Sequence, residues 1–229
     1  MQITSRFGKS YNNEKAVISL TSWTARIASV GLTIYNLRKM CPQCHIALTL
    51  SEQEFPHKEA DLPYDLRLMA ETGVFEILWV YKNYKSLKKV LGAMSIFPNI
   101  PVISADDDCI YICNYADILY KKWLENTKSV VKYTNHIDYN GTQGPSTLYP
   151  PTIFPLLLNA FNRYETEITN KFSGMDDAFL SDTIIASKTP IIACSPHYCF
   201  RFHNETGAIH PNLKTLDIYK ECYSGDLTY

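Results

Sequence analysis

The chain has 229 residues, 46% hydrophobic and 13% aromatic, with a formal net charge of -1. That length suits one large domain with a substantial core, and the near-neutral charge supplies no basic field for nucleic acid. The first 15 residues are polar, without the apolar run of a secretory signal, and Pro155 and Asn159 break the best apolar stretch, so no membrane-spanning helix is expected.

Residues 16–20 are apolar and predict a first strand, followed by a polar loop over 21–26. Ile27, Val30, Ile34 and Leu37 recur at helical spacing and predict a helix over 27–40, ended by Pro42. Cys41 and Cys44 form a C-x-x-C pair with no second pair at zinc spacing, and the 7 scattered cysteines suit a reducing cytoplasm, so the pair is read as incidental. A second strand is predicted over 45–50. Ser51 with Glu54 three residues on is a capping-box pattern that predicts a short helix. A strand over 74–80, a helix over 87–96 and a strand over 102–105 follow. Four strand–helix alternations predict an α/β fold with a mainly parallel sheet and helices on its faces. The second half is less regular. It predicts helices over 115–126, 152–164 and 176–187, strands over 130–133 and 190–194, and a loop rich in turn formers over 140–145.

Asp106-Asp107-Asp108 closes the fourth strand. That places negative charge at a sheet's C-terminal edge, where open α/β sheets bind ligands. Adjacent carboxylates repel and are tolerated best around a cation. In an extended segment Asp106 and Asp108 share one face and Asp107 takes the other. Two carboxylates on one face suit Mg²⁺ or Mn²⁺, which keeps waters and accepts phosphate oxygens. A solvated turn or a helix cap ahead of Ile110 is the plainer alternative. Salt links locking these carboxylates to arginines, or a position far from any cavity, would overturn the metal reading.

Three further groups could carry chemistry. Asp176 and Asp177 open the helix predicted over 176–187, either as a general base or as simple capping residues. Lys85, Lys88 and Lys89 stand at a predicted helix start, which suits a diphosphate, or else form a solvated basic face. Arg26, after the first strand, could meet a base or a phosphate. Of the tail histidines His197, His203 and His210, one could complete a metal site begun by Asp108.

Six segments occur in a recognisable order: Val17-Ile-Ser-Leu-Thr-Ser-Trp-Thr-Ala-Arg-Ile27, Phe75-Glu-Ile-Leu-Trp-Val80, Lys85-Ser-Leu-Lys-Lys89, Ile103-Ser-Ala-Asp-Asp-Asp108, Ser146-Thr-Leu-Tyr-Pro-Pro151 and Gly174-Met-Asp-Asp-Ala-Phe179. On these the chain resembles bacterial nucleotide-sugar glycosyltransferases of the GT-A fold, and within them small enzymes similar to glycosyl transferase family 2 that build surface polysaccharides. The resemblance runs from about residue 16 to about residue 187. It implies a single GT-A domain, with a nucleotide-sugar-binding half over about 16–110 and an acceptor-binding, catalytic-base half over about 111–229. It implies transfer of a monosaccharide from a nucleotide-diphosphate sugar to a glycan or lipid-linked acceptor, with inversion. Asp106 and Asp108 would be the D-x-D carboxylates that hold Mn²⁺ or Mg²⁺, with Asp106 and Asp107 beside the donor. Thr21 and Arg26 would line the nucleotide pocket, Lys85, Lys88 and Lys89 would face the donor, and Asp177, or failing that Asp176, would be the base. Such enzymes often carry Glu first in this acidic pair. The loop over 136–151 would form part of the acceptor side. His203 is the tail residue proposed as a third metal ligand, although the tail beyond Cys194 aligns with nothing in the family. The expected setting is the cytoplasm, at the inner face of the membrane, with peripheral contact only. A sugar-nucleotide nucleotidyltransferase and a non-catalytic glycan-binding protein are the rivals; the former needs a Gly-rich phosphate loop, and residues 21–28 contain no glycine.

Overall fold

The computed structural model describes residues 1–8, 15–133, 146–170, 176–194 and 199–201. The elements run β1 (Ile3–Phe7), β2 (Val17–Thr21), α1 (Val30–Met40), β3 (His45–Ser51), α2 (Tyr64–Glu71), β4 (Glu76–Val80), α3 (Leu87–Ile96), β5 (Val102–Ser104) and β6 (Cys109–Tyr111). They continue with α4 (Tyr115–Leu124), β7 (Val130–Tyr133), β8 (Thr147–Tyr149), α5 (Phe154–Asn170), α6 (Asp176–Ala186), β9 (Ile191–Cys194) and β10 (Cys199–Arg201). Eight strands form one sheet in the order β1-β4-β3-β2-β5-β8-β7-β9, and β6 pairs with β10 in a separate ribbon. The four central strands β4, β3, β2 and β5 are parallel. β1 joins β4 antiparallel at one edge, and β8 pairs antiparallel with both β5 and β7.

The centre is parallel because β2 to β5 are continuous apolar runs, buried on both faces, as strands covered by helices on both sides must be. One face packs against α1, α2 and α4 through Val30, Ile34, Leu37, Leu66, Ala70, Tyr115 and Leu119. The other packs against α3, α5 and α6 through Leu87, Val90, Leu91, Phe154, Leu157, Phe161, Leu180 and Ile184. Within the described residues no helix is long and apolar enough to cross a membrane. Cys41 and Cys44 are buried, and burial pushes the Cys41 thiol up to about 11, which leaves it a poor nucleophile or ligand.

Three local expectations differ. Ser51 and Glu54 do not open a helix. The Ser51 hydroxyl donates to the Glu54 carboxylate at 2.7 Å instead of bonding a backbone N–H, and the chain turns into Pro56. β1, in a polar stretch for which no strand is predicted, is an edge strand that tolerates polar residues because one side is open to solvent. The strand before the aspartates ends at Ser104, and Asp107 and Asp108 form a turn into β6.

At the N-terminal edge of the sheet, Glu76 on β4 is 2% exposed. It accepts hydrogen bonds from Arg6 Nε and from Arg6 Nη2 at 2.8 Å, and His45 Nε2 lies 3.0 Å from its Oε2. Burial by itself would raise the carboxyl's pKa; the bonds from His45 and Arg6 outweigh it and hold the group below its ordinary value. An unfolded Glu, titrating near ~4.3, therefore takes up its proton first as pH falls. The stability this group supplies is complete above the ordinary Glu range and is lost as pH falls towards the folded value. Urea titrations from pH 6 to pH 3 should show Glu76→Gln less stable than wild type at pH 6, with the gap closing towards pH 3. A gap independent of pH would refute the assignment.

Candidate active site

β2 sits between β3 and β5, and the chain reaches β3 and β4 on one side before crossing to β5 on the other. The strand order reverses between β2 and β5, which makes the C-terminal edge there a crevice where parallel sheets place ligands. The segments that leave these two strands carry Thr21, Ser22 and Arg26 on one side and Asp106, Asp107 and Asp108 on the other.

At the end of β2 the Thr21 hydroxyl donates to the Thr49 carbonyl of β3 at 2.6 Å. The chain then turns on the Trp23 carbonyl, which accepts the N–H groups of Arg26 and Ile27 at 2.9 Å. Ile27 is buried, and the Arg26 guanidinium reaches the aspartates: Nη2 lies 3.0 Å from Asp107 Oδ1 and Nη1 lies 2.8 Å from Asp108 Oδ2. Asp107 Oδ2 also accepts the Ser22 hydroxyl at 2.6 Å. Because Asp107 and Asp108 form a turn, the face alternation expected of a strand does not apply, and both carboxylates meet one guanidinium. Burial raises the Asp107 pKa against the pull of Arg26 and Ser22, with Asp106 and Asp108 adding to the rise.

α1 fixes this turn. The Thr33 hydroxyl donates to the carbonyls of Asp107 at 2.9 Å and Cys109 at 3.1 Å. Asn36 brackets the Tyr111 backbone, accepting its N–H at 2.7 Å and donating to its carbonyl at 3.0 Å. The Tyr111 hydroxyl accepts the Asp106 N–H at 3.1 Å, and its ring stacks on Tyr115 with centroids 4.5 Å apart. Sequence reasoning passed over Ser22, Thr33, Asn36 and Tyr111. The available signal was Thr33 and Asn36, polar residues interrupting the apolar stripe of α1.

On the opposite face of the sheet, α3 lies close on β3 at Gly92, where a Cβ would meet Thr49 Oγ1 at 2.7 Å. Its first turn brings Lys88 and Lys89 to the same edge, 2% and 5% exposed, so they are not a solvated basic face. Lys89 Nζ lies 3.0 Å from Asp106 Oδ1, and its carbonyl accepts the Ser19 hydroxyl at 2.5 Å. Lys88 Nζ donates to Glu54 Oε2 at 3.0 Å and Asn83 Oδ1 at 3.2 Å. Burial lowers the Lys88 pKa, with Glu54 opposing. Asn83 Oδ1 also accepts the N–H of Lys85 at 2.9 Å. Lys85 has φ of 52°, a left-handed conformation costly for a side chain with a Cβ, and Asn83 holds it there.

Asp106, Asp108 and Cys109 each offer one ligand atom, all within 4.8 Å of one another. The carboxylate oxygens fit a hard divalent ion; the Cys109 sulfur does not. Mg²⁺ or Mn²⁺ would therefore rest on Asp106 and Asp108 and fill its other positions with water and ligand oxygens. Arg26 salt-links two of the three carboxylates, Asp107 and Asp108, which opposes the metal reading in part, while Asp106 is held by Lys89 and not by an arginine. Asp176 and Asp177 are the first two residues of α6, and their side chains lie outside what the structure describes. His203 and residues 136–145 of the proposed acceptor loop lie outside the described residues. β10 places Arg201 opposite Cys109, the residue that follows the aspartates.

The fold and site together define an α/β protein with charged residues of both signs gathered at a sheet's switch point. No family model and no curated protein matches the sequence. Among solved structures the chain is similar to the glycosyltransferase GlyE of Streptococcus pneumoniae TIGR4 at 13% identity and a TM-score of 0.49, covering 80% of this chain and 46% of that one. It is also similar to UDP-glucose pyrophosphorylase, solved with UDP-glucose, at 12% identity and a TM-score of 0.48, covering 92% and 98% of the two chains. The same enzyme solved without ligand gives 12% identity and a TM-score of 0.49.

Proposed function

We propose that the chain transfers a monosaccharide from a nucleotide-diphosphate sugar to a hydroxyl of a glycan or lipid-linked acceptor, working in the cytoplasm towards a surface polysaccharide. The observation that carries this reading is the convergence of Arg26, Lys89 and three aspartates where β2 and β5 diverge. Anionic and cationic groups side by side suit a ligand that brings both a diphosphate and its counter-ion. When bound, Mg²⁺ or Mn²⁺ on Asp106 and Asp108 would neutralise charge on the departing diphosphate. Thr21 and Arg26 orient the nucleotide, and Lys85 and Lys89 draw the phosphates to the α3 end of the crevice. Asp177 accepts the proton of the attacking hydroxyl, and the anomeric carbon inverts.

The test is thermal unfolding with UDP, GDP or CMP, each with and without Mn²⁺. Stabilisation by one nucleotide that depends on Mn²⁺ supports the reading and identifies the donor class. Pyrophosphate release from a nucleoside triphosphate and a sugar phosphate would favour nucleotidyl transfer instead. Asp177→Asn should keep the nucleotide-induced shift while turnover falls by about 10²-fold. Unchanged turnover in that variant would move the base to another residue, and product NMR showing a retained anomeric configuration would remove inversion.

A further inference from the structure

Arg26 and an oxygen-seeking cation compete for the same carboxylate. Asp108 Oδ2 receives Arg26 Nη1 at 2.8 Å, and Asp108 also belongs to the ligand group spanning 4.8 Å with Asp106 and Cys109. The guanidinium is incompletely satisfied in this pose. Nη2 reaches Asp107, but Nε is buried and makes no hydrogen bond among the described residues. A buried donor left unpaired weakens the arrangement that holds it, and a diphosphate offers the guanidinium a fork of acceptors. The Arg26 backbone is pinned: its N–H bonds Trp23, and its carbonyl accepts the Ser29 hydroxyl at 3.0 Å and the Ser29 N–H at 2.9 Å. Only the side chain has to swing. Asp107, tied to Ser22 and to Thr33 through its carbonyl, stays in place when it does.

We propose that Arg26 is an exchangeable counter-cation, which holds Asp108 until a divalent ion arrives with a diphosphate, then yields Asp108 to the ion and turns its guanidinium onto the phosphate oxygens. This rests on the transfer reading above and adds a consequence that reading does not contain. The ion and the diphosphate bind cooperatively because each relieves the cost of moving Arg26. Removing the arginine therefore strengthens binding of the bare ion and weakens binding of the diphosphate.

The experiment is an EPR titration of Mn²⁺ against the full chain, alone and with UDP or GDP, for wild type, Arg26→Gln and Arg26→Lys. Arg26→Gln should bind Mn²⁺ alone about tenfold more tightly than wild type and should bind the Mn²⁺–nucleotide pair about tenfold more weakly, with Arg26→Lys between. Arg26→Gln that binds bare Mn²⁺ no more tightly than wild type overturns the exchange. Should Arg26→Gln fail to fold, phenylglyoxal labelling of Arg26 in wild type, mapped by mass spectrometry, gives a second reading. Millimolar Mn²⁺ alone should speed the labelling, and Mn²⁺ with the nucleoside diphosphate should slow it; rates indifferent to both overturn the proposal. A wild-type chain that takes up no Mn²⁺ with any nucleoside diphosphate overturns the transfer reading as well. Nucleotide-dependent uptake without the Arg26 effects overturns the exchange alone.

Discussion

Asp108→Ala is expected to abolish the Mn²⁺-dependent thermal shift given by the preferred nucleoside diphosphate and to cut transfer by about 10³-fold. In wild type a nucleotide at 100 times its Kd stabilises by about 2.7 kcal/mol, which for a chain of this size is a Tm rise of about 5–10 °C. Without Asp108 the ion keeps a single carboxylate of its pair, Asp106, which Lys89 already engages. The variant should still fold, since Arg26 retains Asp107 at 3.0 Å and the turn keeps its bonds to Thr33. The unliganded Tm is therefore the control. It should move little, while the liganded Tm falls to meet it. Asp107→Ala should show the reverse balance, losing unliganded stability first, because Asp107 is 3% exposed and holds both Ser22 and Arg26. An Asp108→Ala protein that keeps the whole Mn²⁺-dependent shift would remove this carboxylate from the ion's binding set and leave the metal reading without its main support.

The parts of the fold that could be read from the sequence are those written in local pattern. β2, β3, β4 and β5 are apolar runs separated by helical periods, and that alternation is enough to predict a parallel sheet with its acidic end at a ligand edge. β7 fell on the residues expected, Val130–Tyr133. The gathering of Arg26, Lys89 and the aspartates could be anticipated only as separate candidates. Their ion pairs join positions 17 to 82 residues apart, and no local rule sets such distances. The role of α1 was hidden for a similar reason. Thr33 and Asn36 look like weak helix formers until the β5–β6 turn and β6 itself, which they bond, are brought beneath them. β1 and β8 carry little periodic signal because β1 is a half-exposed edge strand and β8 is only three residues long. For Lys88 and Lys89 the sequence leaves two readings open, a diphosphate site and a solvated face. Lysines at a helix start read as solvated, and only the close seating of α3 at Gly92 carries them inside.

That burial makes Lys88 a position where a single change should cost much stability. Its side chain is 2% exposed and Glu54 is 15% exposed, so the pair has surrendered most of its hydration and is held together by mutual attraction and the bonds to Ser51 and Asn83. Removing one partner strands the other, which costs about 3 kcal/mol or more and predicts a Tm drop of about 6–12 °C for Lys88→Met. Lys88→Met fills the same volume, so the loss reports the charge and not a cavity. Adding Glu54→Gln should restore most of the lost stability, because a neutral amide leaves no stranded charge while still accepting the Ser51 hydroxyl. Nucleotide binding should not recover in step. Asn83 loses the ammonium in both variants, and with it the anchor that keeps Lys85 in its left-handed pose at the mouth of α3. The double variant should thus melt near wild type yet bind the Mn²⁺–nucleotide pair about tenfold more weakly, measured by calorimetry. Equal affinity in the double variant and wild type would confine Lys88 to stability. A Lys88→Met protein that melts with wild type would show that the Lys88–Glu54 pair contributes nothing net to the fold.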